Sequence, residues 1–147
     1  GGPRLDKLAQ EGNPHAFKLP EARVDGYNFS FSGLKTAVLR LVKSFDGQEL
    51  PEKDICASFQ ETVSSTLLHK LKRALDESGY NQVVIAGGVA ANSEIRKKIF
   101  NLSNEGCKVF APPMKYCTDN AAMVASCAYF NTNTFDDVNT EVFSRVN

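Results

Sequence analysis

Two short stretches gather residue types able to hold a ligand. In VVIAGGVAAN, Val83 to Asn92, an apolar run meets Gly87 and Gly88, then Asn92, just before a helical pattern resumes. Paired glycines after a strand allow a tight turn and close approach of a ligand to the backbone, and the N–H groups opening the next helix suit a nucleotide phosphate. The pair lacks both the G-x-G-x-x-G spacing and the lysine of a P-loop, so an ordinary strand-to-helix turn explains the same letters. Asn92 has two readings as well: an amide contact to ribose or phosphate, or a helix cap. In PPMKYCTDNAAM, Asp119 stands at the expected first turn of a helix, where a carboxylate suits a hard metal ion and, without any ligand, the helix dipole.

The remaining polar candidates are less defined. FSFSGLKT, Phe29 to Thr36, gathers Ser30, Ser32, Lys35 and Thr36 around Gly33. That cluster suits a phosphate, but a capping Ser32 and a solvent-facing Lys35 explain it nearly as well. Cys117 has no histidine nearby in sequence and reads as packing. His15 and His69 lie 54 positions apart and make no H-x-x-x-H or H-E-x-x-H pair, so a complete zinc-protease site is absent. His69 reads as an exposed helix residue. HKLKRAL and the run Arg96, Lys97, Lys98 read as solvated helix faces, because each is short and acids lie close by.

The elements that must position these residues follow from periodicity. Pro3 opens a short helix through about Gln10, and Gly12, Pro14, Pro20 and Gly26 then mark a loop-rich stretch. Phe29 and Phe31 alternate with serines like a short strand before a helix capped by Ser32 that carries Leu34, Val38, Leu41 and Val42. Gly47 and Pro51 end that element. From Asp54 to about Ser78, Ile55, Phe59, Val63, Leu67, Leu71 and Leu75 recur every four residues, and Gly79 stands ready to terminate the helix. Val83 to Ala86 predicts a buried parallel strand, followed by a helix from about Ser93 with Ile95, Ile99 and Leu102. CKVFAPP predicts a second strand stopped by Pro112 and Pro113. Thr118 then caps a helix of small residues, able to pack close, that runs to about Phe130. This alternation predicts an α/β fold with parallel strands covered by helices.

With 147 residues, 42% of them hydrophobic, the chain can bury one core. Lys plus Arg equals Asp plus Glu at 17 each, giving a net charge of +0 and no global field that advertises nucleic acid. Four scattered cysteines without C-x-x-C fit a reduced, cytoplasmic setting, and no apolar span, signal peptide or lipidation motif asks for a membrane. The opening GGPRLDKLAQ lacks Met and reads as an excised segment, so a site completed elsewhere should look half-built.

Four strings in order, GGP at Gly1 to Pro3, FSFSGLKT, GGVAANSEIR at Gly87 to Arg96 and CTDNAAM at Cys117 to Met123, together resemble the tRNA adenosine threonylcarbamoyltransferases, long described as O-sialoglycoprotein endopeptidases of the glycoprotease family. The resemblance covers most of the chain up to about residue 130. It implies the C-terminal lobe, incomplete, of an actin-like ATPase (ribonuclease H-like) fold over residues 1–130, with 131–147 as a C-terminal extension. The implied reaction transfers threonylcarbamoyl from its adenylate to the exocyclic amine of the adenosine beside the anticodon, in tRNAs that read codons starting with A. Gly87, Gly88 and Asn92 are then nucleotide contacts, Gly2 a donor-binding glycine and Asp119 a ligand of one divalent metal, iron or zinc. Adenine nucleotide or threonylcarbamoyl-adenylate is the implied ligand. The implied partners are tRNA, the missing N-terminal lobe, a non-catalytic paralogue and an ATPase.

The departure from the family pattern is informative. Its H-x-x-x-H metal pair precedes the glycine-rich segment and is missing from these residues, as is the first lobe. Asp119 alone is too little to fix a transition metal, so the fragment by itself should be inactive, with no catalytic residue of its own. A non-catalytic, paralogue-like interaction module is the alternative. A metallo-endopeptidase, which needs a metal-bound water and a general base, ranks last.

Overall fold

The computed structural model describes residues 1–21 and 24–131, and the chain tail from 132 onward lies outside the described residues. Among the described residues five α-helices and two strands run in the order α1 (Gly2–Ala9), α2 (Ser32–Lys43), α3 (Glu52–Ser78), β1 (Gln82–Val84), α4 (Ser93–Phe100), β2 (Lys108–Phe110) and α5 (Ala121–Phe130). The strands pair in parallel, with Val83 opposite Val109 and Val84 opposite Phe110, and α4 forms the crossover between them. The fold is α/β, as the alternation of patterns predicts.

The long helix α3 is the platform. Glu52 and Asp54 complement its N-terminal dipole, and Gly79 closes it in the left-handed conformation at φ +71°, its N–H donating to Leu75 O. Val63, Leu67, Leu71 and Leu75 of the four-residue stripe, with Leu68 beside them, pack against buried Val83, Ile95, Ile99 and Leu102. Each of those buried side chains contributes about 1.5–3 kcal/mol of transfer free energy. The helix also buries Ser58, Gln60, Thr62, Ser64 and Thr66, a face that the apolar stripe does not announce. The two threonines tolerate burial because they bond their own helix: Thr62 Oγ1 donates to Ser58 O, and Thr66 Oγ1 to Thr62 O, both at 2.8 Å.

α1 packs on the start of α3 through a close backbone approach. A Cβ on Gly12 would lie 2.1 Å from Lys53 O, Asn13 N donates to Asp54 Oδ1 at 2.7 Å, and Phe17 N donates to Ser58 Oγ at 3.1 Å.

Several expectations give way. Residues 28–31 form no strand; the rings of Phe29 and Phe31 stack 6.1 Å apart, and Lys70 covers Phe29 with its ammonium 5.6 Å from the ring centre. Two alternating aromatics do not make a strand without an edge to pair with. Ser32 is the first helical residue rather than the cap, and Phe31 stands at the cap position. Asn120, not Thr118, caps α5 by accepting from Met123 N at 3.1 Å. β1 is buried on one face only, leaving Val84 74% exposed, and α5 packs against nothing closely enough to bury a residue.

Candidate functional site

The glycine turn follows β1 after Ile85 and Ala86. Gly87 takes φ +86° and ψ 172°, a region essentially closed to residues with a Cβ, and this bend starts a 3₁₀ turn over Gly88–Ala91. Gly88 has no positive φ, and a Cβ built on it would meet nothing within 4 Å. The fold therefore requires glycine at 87 and leaves 88 open to approach from outside. Gly2 has the same character: φ is not positive and a Cβ would meet nothing within 4 Å.

Two of the first three N–H groups of α4, those of Ser93 and Ile95, are already engaged from within the chain. Asn92 caps it, accepting from Ile95 N at 3.0 Å. Asp6 of α1 reaches the same place: its Oδ2 accepts from Ser93 N at 3.2 Å and its Oδ1 from Ser93 Oγ at 2.7 Å. The Asn92 amide group donates to Asp6 Oδ1 at 3.3 Å and to Gln60 Oε1 at 2.9 Å. The expectation that α4 offers free N–H groups to a phosphate is thus corrected at Ser93 and Ile95, since a carboxylate and the cap already sit against the first turn. The approachable backbone is the glycine turn itself. Asp6 and Gln60 escaped sequence reading, because no local pattern links a residue on α1 to one 86 positions away.

Arg96 is the second residue that sequence reading misplaced. Arg96 and Lys98 turn inward rather than lying on a solvated face, while Lys97 is exposed. Arg96 Nη1 donates to Ala90 O at 3.0 Å and approaches Cys117 Sγ at 3.7 Å, and Nη2 donates to Pro112 O at 3.4 Å. Lys98 Nζ reaches Glu61 Oε1 at 2.6 Å and Ser65 Oγ at 2.8 Å. Burial pushes the Glu61 carboxyl up, but the bonds from Lys98 and Ser65 outweigh it and hold it below its ordinary value. In HKLKRAL, Lys70 is likewise engaged, donating to Val24 O and Gly26 O, and Lys72 pairs with Glu105 at 2.7 Å.

Cys117 is 1% exposed, in keeping with a packing role. Asp119 lies two residues beyond it, exposed and just before the cap of α5, so it is outside the first helical turn in which the pattern placed it. Among the described residues no group of three His, Cys, Asp or Glu side chains is placed to hold a metal, and one carboxylate does not fit a divalent ion unaided. His69 is exposed on α3, with Nδ1 3.5 Å from Glu21 Oε2. The polar groups of FSFSGLKT mostly face one another: Ser30 and Ser32 hydroxyls lie 3.4 Å apart and Thr36 Oγ1 donates to Ser32 O. A shallow groove of about 510 Å³ runs along α5, lined by Tyr116, Asn120, Met123, Cys127 and Phe130 among others, and does not include the glycine turn.

Elements that carry or adjoin three of the four motif strings thus meet around α4. The helix bearing Gly2 joins through Asp6 and Asn92, the glycine turn leads into α4, and the loop before Asp119 joins through Arg96. Among the described residues no helix is long and apolar enough to cross a membrane.

Comparison with known proteins places the sequence in a family. A sequence model of the family described as tRNA N6-adenosine threonylcarbamoyltransferase matches residues 1–126. Relatives carrying that name include one from Thermosipho africanus, 50% identical over 132 residues, covering 88% of this chain and 40% of the relative. One from Thermosipho melanesiensis is 45% identical over 150 residues, covering 100% and 46% respectively. A third, from Christiangramia forsetii, is 52% identical over 136 residues, covering 88% and 40%. The chain therefore spans less than half the length of these relatives. With a match over most of its residues, the chain belongs to the tRNA N6-adenosine threonylcarbamoyltransferase family.

Proposed function

We propose that this chain forms the adenylate-facing part of an enzyme that transfers threonylcarbamoyl from threonylcarbamoyl-adenylate to tRNA. The bond between the carbamoyl carbon and the adenylate phosphate breaks, AMP leaves, and the exocyclic amine of the adenosine beside the anticodon forms the new bond and loses a proton. The observation that carries the reading is the glycine turn. Gly88 is a glycine that neither backbone conformation nor packing among the described residues demands, in the turn that follows β1, in a family named for this transfer. Close approach of a ligand to its backbone is what the missing Cβ would permit.

The rest of the reading extends from the family. The chain is the C-terminal lobe of an actin-like fold, the missing lobe completes the cleft, and a non-catalytic paralogue and an ATPase assist in the cytoplasm. Gly2 lies near the donor. Asp119 offers one oxygen to a divalent ion, iron or zinc, whose other ligands come from outside this chain. The non-catalytic interaction module keeps one observation in its favour, because Asn92 is fully engaged within the fold.

The test is transfer by the full-length protein with its partners, the adenylate donor and unmodified tRNA, followed by mass spectrometry of the released nucleosides. Wild type should modify the adenosine. Gly88→Ala should keep the melting temperature, since its Cβ meets open space, and lower transfer at least tenfold. No modified nucleoside from wild type would overturn the enzyme reading, and full activity in Gly88→Ala would remove the turn from the site.

A further inference from the structure

We infer that Arg96 is a positioning residue that fixes the Gly87–Asn92 turn against the 112–117 loop, so that adenylate binding depends on it; the inference rests on the adenylate reading above. One guanidinium spans two carbonyls of different segments, Ala90 O at 3.0 Å and Pro112 O at 3.4 Å. Ala90 belongs to the 3₁₀ turn and itself donates to Gly87 O at 3.0 Å, so the fork bears on the bend that Gly87 creates. On the other side, Nη1 lies 3.7 Å from Cys117 Sγ, and that buried thiol lies 4.0 Å from Pro112 O and 3.8 Å from Pro113 O. The Phe100 ring backs the guanidinium at 5.6 Å.

Geometry makes the role specific to arginine. A planar fork holds two acceptors in a fixed relation, whereas an ammonium on a flexible stem satisfies one of them at a time. Arg96 is one helical turn from Asn92, so a shift of its fork would move the turn relative to the α1 network that holds Asn92. Arg96 acts through the backbone it holds and not on a reacting atom.

The experiment uses the full-length protein with Arg96→Lys, Arg96→Met, Phe100→Leu and the exposed control Lys97→Met. The Kd for AMP, KM and kcat for the adenylate donor, the melting temperature and the alkylation rate of Cys117 are measured on each. Arg96→Lys should raise the AMP Kd and donor KM roughly tenfold, the scale of one charged hydrogen bond, with a smaller change in kcat and with Cys117 alkylated faster. Arg96→Met should exceed it, and Lys97→Met should match wild type. Should Arg96→Met fail to fold, Phe100→Leu alters only a ring on the rim and should move KM in the same direction by less. Arginine variants that lower the melting temperature with AMP affinity and KM unchanged would overturn the inference, leaving Arg96 a structural brace. If wild type binds no AMP, the adenylate reading falls first and this inference falls with it, whatever the alkylation of Cys117 shows.

Discussion

Asn92 is engaged at both ends of its amide, and this allows its two proposed roles to be separated. Its oxygen caps Ile95 N, while its nitrogen serves Asp6 and Gln60. Serine caps about as well as asparagine but cannot donate from the same reach, so Asn92→Ser should cost less stability than Asn92→Ala, which should lose about 1 kcal/mol through the cap alone. Urea unfolding measures the difference. If Asn92 also meets the nucleotide, both variants should weaken AMP binding alike, and a serine variant with wild-type affinity would reduce Asn92 to a cap. A second residue-scale test concerns Glu61, whose carboxyl Lys98 and Ser65 hold below the ordinary 4.5. A carboxyl lowered by folding stabilises the fold above pH 4.5, and that stabilisation fades as pH falls from there through the lowered folded value. Glu61→Gln should therefore be less stable than wild type at pH 7, with the gap closing below pH 4.5. A gap independent of pH would show that the ion pair is not its source. At this scale the sequence was partly legible: the glycines and Asn92 announced themselves, whereas Asp6 and Arg96 act across the fold with no local spacing to reveal them.

The helices were legible where a period repeats and poorly legible where partners decide. The four-residue stripe of α3 runs from Ile55 to Leu75, so its packing against β1 and α4 follows from pattern alone. Its buried hydroxyl face did not, because Thr62 and Thr66 look polar until their bonds to the helix's own backbone are seen, and Ser58 until its hydroxyl is seen to serve Asn13 O and Phe17 N. Phe29 and Phe31 had the alternation of a strand but found no edge. Asn120 displaced Thr118 as a cap because α5 begins at Ala121 and an Asx side chain one residue earlier reaches Met123 N. The joint between α1 and α3 yields the sharpest element-scale prediction. A methyl on Gly12 would press on backbone atoms of Lys53 and Asp54 at 2.1 to 2.8 Å, and neither can rotate away as a side chain would. Gly12→Ala should therefore separate α1 from α3 and cost roughly 1–3 kcal/mol. Because Asp6 rides on α1, the same substitution should also loosen the cap of α4. A melting temperature equal to wild type would mean that the approach is relieved by an easy backbone shift.

Across the whole molecule, burial is unequal. The core gathers where α3, β1 and α4 meet, and it covers one face of a two-stranded parallel sheet. The other face leaves Val84 74% and Phe110 52% exposed, although parallel sheets normally have both faces covered. α5 buries no residue, and Met123, Val124, Tyr129 and Phe130 lie open on it. The chain spans less than half of its relatives' length. Periodicity could not foretell the open face, because an apolar strand reads as buried whether or not its cover is part of the sequence. The consequence is a hierarchy of local stability. Opening free energy follows buried apolar area, so amides of α3 and α4 should exchange slowest and those of α5 fastest. Hydrogen exchange on the 147-residue chain should show α5 exchanging by local opening well below the global unfolding free energy. On the full-length protein, α5 and the β1–β2 strands should gain protection if missing elements cover them, while the centre of α3, already packed, should change least. Equal protection of α5 in both forms would show that its apolar surface stays open in the complete protein and that the short chain already contains every contact α5 makes.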